Sequence, residues 1–194
     1  MNILKNKNNK KEIQQNNKMK LTEIARKTIE AKLNNQKFEL DEKTKQKYIE
    51  IKASFVTLTL FKQLRGCIGS LQASRPLWKD VQENAIHAGF HDPRFPPVDE
   101  SEIKNLNIEI SVLSTPEQLQ YKDEKDLLKK LNKKIGLILK SGYRSATFLP
   151  QVWEELPDKV EFLENLSMKA GLNKDAWKHA EYWYYTVKKE KESK

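Results

Sequence analysis

The sequence predicts an α+β fold, with a mixed or antiparallel sheet and flanking helices, on three observations. Strand-like stretches lie next to one another across turn-length spacers, at 53–71 and 135–150, which is the pattern of hairpins. Segments with helical spacing follow at irregular intervals instead of one after each strand. Neither G-x-x-x-x-G-K nor G-x-G-x-x-G occurs in the chain, so no glycine-rich phosphate loop marks a doubly wound parallel sheet.

Residues 1–18, "MNILKNKNNKKEIQQNNK", carry no apolar period and read as a flexible extension. Leu21, Ile24, Ala25, Thr28, Ile29 and Leu33 then recur at helical spacing. Residues 34–50 are polar and show no strand signal. In 53–71, Phe55, Thr57, Thr59 and Phe61 alternate with Val56, Leu58 and Leu60; both faces can be buried, which predicts a central strand. Lys62-Gln63 is the expected turn, and "LRGCIGS" (64–70) the returning partner. Pro76 suits the first turn of a helix lined by Leu77, Val81, Ala85 and Ala88. Pro93 turns Asp92 away from helix, and Pro96 and Pro97 extend that corner. In "DESEIKNL", Asp99 and Glu102 have the spacing of a capping box and predict a short helix. "NIEISVLS" alternates as a strand, "EKDLLKKLNKK" reads as a helix, and Ser141-Gly142 centres a hairpin. Pro150 starts a short helix, and Gly171 stops another that begins at "DKVEFLENLSMKAGL". "AEYWYYTV" is the last expected strand, and Trp153, Trp177 and Trp183 are expected core aromatics.

Charge narrows the function classes. The net charge is +9, but residues 1–20 hold +5 and residues 188–194 hold +2. The body between them is left with only +2, too little for a nucleic-acid reader, which carries its basic patch on the folded part. Both tails, 1–18 and 188–194, are expected to add little to the fold of 19–187. No apolar run reaches the roughly 20 residues of a membrane span, and no apolar segment follows the basic N-terminus as a signal peptide requires. Cys67 is the one cysteine. An internal disulfide is therefore excluded, as is a zinc site with several thiolates, and a cytoplasmic, reducing setting is the simplest expectation.

"LRGCIGS", "ENAIHAGFHDPRFPPV", "IEISVLS", "GLIL" and "TFLPQVWEELPDKVEFLENLSMKAGL" occur in this order. With these motifs the chain, over roughly residues 20–187, resembles the AmmeMemoRadiSam system protein A family, also called the AMME syndrome candidate protein family. The resemblance implies a single α+β domain of two lobes, with the LRGCIG motif near a cleft between them. It implies Memo-like and radical SAM proteins as partners and a small-molecule ligand in the cleft. It implies no cofactor and no particular reaction. Cys67, Gly66, Gly69, Asp92, Arg94 and Phe95 match the family's hallmark positions. His91 and Tyr143 stand at varied positions, and the lysine-rich extension is outside the pattern.

The candidate catalytic residues are Cys67, Arg94 and Asp92. Cys67 can be a nucleophile or redox thiol, or a buried structural thiol. Strand alternation puts Arg65 on its face, where a cation would favour the thiolate. Arg94, at a proline-bounded corner, can bind a carboxylate or phosphate in two-pronged fashion, or Asp92 and Arg94 can simply pin the chain. Arg65, Gly66, Gly69, Glu83, Asn84 and Phe95 complete the expected binding set; the glycines would let a ligand approach the backbone. Glu83, His87 and His91 share a helical face at metal-ligand spacing. A solvated polar face explains them as well, and no metal site is assigned. Three function classes follow: an enzyme using Cys67, a non-catalytic scaffold for the partner proteins, and, weakest, a nucleic-acid binder.

Overall fold

The structure is a computed structural model that describes residues 19–192; the expected extension at 1–18 lies outside them. The chain divides into two compact units, one running to Val112 and resuming at Lys189, the other Leu113–Lys188. The pairings of 54–60 with 63–69 and 106–113, and of 181–185 with 117–118 and 136–141, are antiparallel, in keeping with the expected α+β class.

In the first unit, helix α1 (Leu21–Leu33) buries Leu21, Ile24, Ala25, Thr28 and Ile29, the face its spacing predicts. Helix α2 (Glu42–Lys47) occupies the polar stretch. It is nucleated by Asp41, whose Oδ1 accepts the Thr44 N–H at 3.0 Å, an N-cap the apolar pattern does not reveal. Strand β1 (Ser54–Leu60) pairs with β2 (Gln63–Gly69) and with β3 (Leu106–Leu113), so it is central, as expected. Helix α3 (Leu77–Phe90) packs on this sheet and on α1. Val56, Leu58, Val81, Ala85, Ile24, Ile29, Ile108 and Ile110 form the core between them. Each fully buried Leu, Ile or Val there contributes roughly 1.5–3 kcal/mol.

Two turns differ from expectation. The hairpin turns at Phe61-Lys62, with φ of 50° and 68°, one residue earlier than Lys62-Gln63; Gln63 already pairs with Leu60. Both turn residues are left-handed, the geometry that matches strand twist, at a cost of about 1–2 kcal/mol each for a side-chain-bearing residue. Residues 100–105 are successive turns and not a helix. The Asp99 N–H does donate to Glu102, at 3.0 Å, but the carboxylate of Glu102 is also taken by Arg65.

The expectation for the C-terminal tail is corrected for residues 188–192; 193 and 194 lie outside the described residues. Val187–Lys191 is strand β8, the fourth strand of the sheet β2-β1-β3-β8. Its stabilisation is ionic, which is why no apolar period announces it. Glu192 grips Arg26 through Nε at 2.5 Å and Nη2 at 2.7 Å. Glu190 accepts the Thr22 N–H at the start of α1, where a carboxylate also meets the positive end of the helix dipole. Lys189 and Lys191 flank Glu109 at 3.0 Å each.

The second unit holds the sheet β4-β7-β5-β6. Its strands are β4 (Glu117–Gln118), β5 (Gly136–Ser141), β6 (Arg144–Phe148) and β7 (Glu181–Tyr185). The predicted hairpin forms but turns at Gly142-Tyr143, one residue later than Ser141-Gly142: Ser141 still pairs with Arg144, and Gly142 takes a φ of 59°. Helices α4 (Glu124–Lys130), α5 (Val152–Glu155) and α6 (Lys159–Lys169) supply Leu127, Trp153, Phe162 and Leu166 to the core. Trp153 stacks on Phe162 with ring centres 3.6 Å apart, and Trp177 is buried, so both are core aromatics as expected. Trp183 is half-buried beneath Lys140.

Candidate functional site

The site forms where β2 passes the corner that follows α3. Pro93 stops the helix, and the Phe95 N–H closes a turn on the Asp92 carbonyl at 3.1 Å. That turn sends the Asp92 carboxylate under Cys67. Its Oδ2 accepts the Cys67 N–H at 2.9 Å and Arg94 Nη2 at 2.7 Å. Its Oδ1 accepts the Arg94 N–H at 3.1 Å and Nε at 2.9 Å. Arg94 Nη2 also donates to the Cys67 carbonyl at 3.1 Å. Cys67 Sγ lies 3.3 Å from Thr57 Oγ1 on the neighbouring strand, and Cys67 as a residue is half-buried. Cys67, Asp92 and Arg94 thus come together, and all belong to the first unit.

The carboxylate and guanidinium play different parts. The Asp92 side chain is 1% exposed and the Arg94 side chain 54%. Hydrogen bonds from the Arg94 guanidinium hold the Asp92 carboxyl far below the usual carboxylate range; burial opposes this, and the Cys67 and Arg94 N–H groups add to it. With four donors on two oxygens, Asp92 is a positioning residue and is poorly suited to take a proton. The same pair raises the Arg94 pKa, chiefly through the Asp92 hydrogen bonds, with a smaller Coulombic pull from Cys67. Arg94 Nη1 has no hydrogen-bond partner among the described residues. The guanidinium lies 5.5 Å from the half-buried Phe95 ring.

A carboxyl whose folded pKa is depressed adds stability above its unfolded value and loses it as pH falls towards the folded one. Asp92→Asn is expected to destabilise the protein by about 2 kcal/mol near neutral pH, as charge-assisted bonds are lost. The gap from the parent should narrow below pH ~4, where the unfolded carboxyl protonates. Urea denaturation of both proteins at neutral and acid pH reads this; a gap that widens in acid contradicts the assignment.

The remaining expected residues divide. Arg65 does not share the face of Cys67. The register steps from Leu58↔Gly66 to Thr59↔Leu64, so Arg65 is the extra residue of a β-bulge, which breaks the alternation. It is buried and grips Glu102 through Nε at 2.6 Å and Nη2 at 2.8 Å, and the Pro97 carbonyl at 3.2 Å. Asn84 is also buried, and its amide donates to the Ser54 carbonyl at 3.0 Å and to Asp80 at 2.9 Å. It belongs to a network in which Asp80 accepts from the Ser54 N–H, the Ser54 hydroxyl and the Ser70 hydroxyl, so Asn84 ties α3 to β1 and is spent within the fold. Glu83 pairs with Arg75 and lines a cavity on the α1 side of α3. Gly66 and Gly69 are packing glycines: a Cβ would lie 2.2 Å from the Ala88 carbonyl oxygen at Gly66 and 2.2 Å from Phe55 Cγ at Gly69. The His87 and His91 rings meet edge to face at 5.7 Å. Among the described residues no three His, Cys, Asp or Glu groups are placed to hold a metal, and no helix is long and apolar enough to cross a membrane.

Sequence reasoning misses Thr57, Glu102 and Asp80. Thr57 reads as one more alternating strand residue, and its place beside sulfur depends on the strand register. Glu102 is visible only as a capping partner. Asp80 carries one signal, a carboxylate in the first turn of a helix.

An α+β protein of two antiparallel sheets, with a lone thiol beside an aspartate-pinned arginine, is the class these features define. The AMMECR1 family model matches residues 22–190, and the chain belongs to that family, as the motifs indicate. Among its relatives, Protein NEQ441 of Nanoarchaeum equitans is 40% identical over 162 residues, covering 82% of this chain and 90% of the relative. Protein MK0488 of Methanopyrus kandleri is also 40% identical, covering 81% and 78%. The crystal structure of uncharacterized protein PH0010 from Pyrococcus horikoshii matches with a TM-score of 0.76 and 35% identity, over 89% of this chain and 90% of that one.

Proposed function

We propose that the Cys67–Arg94 corner binds a small anionic molecule and that Cys67 acts on it as a nucleophile, which makes the chain a thiol-dependent enzyme. The observation that carries this reading is Arg94. Its guanidinium is locked by a buried carboxylate, stands half-exposed beside Cys67, and keeps Nη1 free for a ligand oxygen. The chemistry that fits is addition to a carbonyl carbon. The thiol proton leaves to solvent, the sulfur lone pair forms the S–C bond, and the carbonyl π pair moves to oxygen, where a nearby cation stabilises it. A cytoplasmic setting suits a protein whose one cysteine must stay reduced.

The second reading is a scaffold for Memo-like and radical SAM partners. It draws support from the hairpin tip of β1 and β2, where Phe61 is 73% and Leu64 45% exposed.

Iodoacetamide separates the two, because only one sulfhydryl can respond. Under the enzyme reading the folded chain is alkylated, and Arg94→Ala slows alkylation by the anion iodoacetate about tenfold while leaving the rate with neutral iodoacetamide unchanged, because the arginine that draws the carboxylate to the thiol is gone. A thiol that reacts only in urea overturns this reading, and the scaffold replaces it.

A further inference from the structure

The cavity of about 640 Å³ in the first unit is not at Cys67. It opens between α1, the segment 35–38 and the outer side of α3. Gly66 faces α3 across β2. Cys67, one residue on, meets Thr57 on the opposite face of the sheet. The two sites are therefore separate.

The lining has a definite chemistry. Phe38, Trp78 and Ile86 supply apolar wall, and the Gln82 amide braces it by donating to the Phe38 carbonyl at 3.3 Å and the Thr28 hydroxyl at 3.4 Å. The charge is lopsided. Lys37 is paired with Glu39 at 2.8 Å and Glu83 with Arg75. Lys32 and Lys79 also line the cavity, and neither has an ion-pair partner among the described residues. The last carbonyls of α1, at Glu30, Ala31 and Lys32, already accept from Asn34, Gln36 and Asn35. The two lysines are thus the cavity's uncompensated charges.

We infer that this cavity is a second binding site, for a small planar acid: a ring that lies against Phe38, Trp78 and Ile86 and carries a carboxylate, sulfonate or phosphate between Lys32 and Lys79. The volume is that of a small-molecule pocket, commonly about 300–1,000 Å³, and an anion there gains two ammonium partners without displacing a resident carboxylate.

Anilinonaphthalene sulfonate, whose flat naphthalene ring carries the sulfonate, is the probe, with neutral phenylnaphthylamine as its uncharged counterpart. The expected result is saturable one-to-one binding of the sulfonate. Lys32→Gln with Lys79→Gln weakens it on the order of tenfold, while the neutral probe binds the double variant as it binds the parent. Both lysines are exposed, so the variant keeps its fold, which its melting temperature verifies. Cys67→Ser binds the sulfonate as the parent does, which separates this site from the thiol corner. The proposal is overturned by non-saturable binding, by sulfonate affinity indifferent to the two lysines, by an equal loss for both probes, or by loss of sulfonate binding in Cys67→Ser.

Discussion

Gly66→Val unfolds the first unit or destabilises it by more than about 3 kcal/mol, beyond the usual range for an overpacked core. The Cβ itself, before any methyl is added, would stand 2.2 Å from the Ala88 carbonyl oxygen and 3.1 Å from its carbon. That neighbour is helix backbone and cannot rotate away as a side chain could. Gly66→Ala is expected to fail for the same reason. Gly89→Ala is the informative contrast, because a Cβ there meets nothing closer than 3.8 Å and lies inside α3. That change should be neutral or stabilise by up to ~1 kcal/mol. Urea midpoints of the three variants read the difference. A Gly66→Val protein with the parent's midpoint means that β2 does not run this close to α3.

Ending the chain at Val187 lowers the melting temperature by about 10 °C, from the loss of roughly 3 kcal/mol at 2–4 °C per kcal/mol for a chain of this size. Arg26 loses both bonds to Glu192, the Ile108 N–H loses the same carboxylate, and the Thr22 N–H loses Glu190. Strand β3 becomes an edge. Glu192→Ala should reproduce a large share of the loss, since Arg26 is left half-desolvated without its anion. Differential scanning calorimetry on the shortened chain decides the point; an unchanged melting temperature means the strand is decorative.

Much of the fold is legible along the chain, because the elements concerned are decided locally. The stripe of Leu21, Ile24, Ala25, Thr28 and Ile29 can bury itself only as a helix. Gly142, at a left-handed φ of 59°, turns the chain, and Pro93 disfavours helix at the residue before it. The corner of Asp92 and Arg94 is legible too, since both residues lie within one turn of the chain and their bonds span two positions. The family follows from the same local order of motifs.

The C-terminal strand shows the other case. Val187–Lys191 carries no apolar stripe, and its charges read as a solvated tail until Arg26, Thr22 and Glu109 arrive from distant parts of the chain. The sheet face of Arg65 is similar. Period-two alternation places it beside Cys67, but a single bulge between residues 64 and 66 reverses the parity and hands Arg65 to Glu102. Asn84 reads as a polar helix residue, yet the approach of β1 to α3 makes it a buried donor to Ser54 and Asp80.

By itself, then, the sequence determines the α+β class, the family, the amphipathic helices, the hairpins and the Asp92–Arg94 corner, because each rests on a local pattern, on contacts or on backbone limits within a few residues. Only the tertiary structure decides which carboxylate each arginine meets, which glycines serve packing, whether the last strand joins the sheet, and that the unpaired lysines gather at a cavity away from the thiol. Those outcomes depend on strand register and on pairs separated by tens to more than a hundred residues, where one inserted residue or one missing Cβ changes the partner without changing any local pattern.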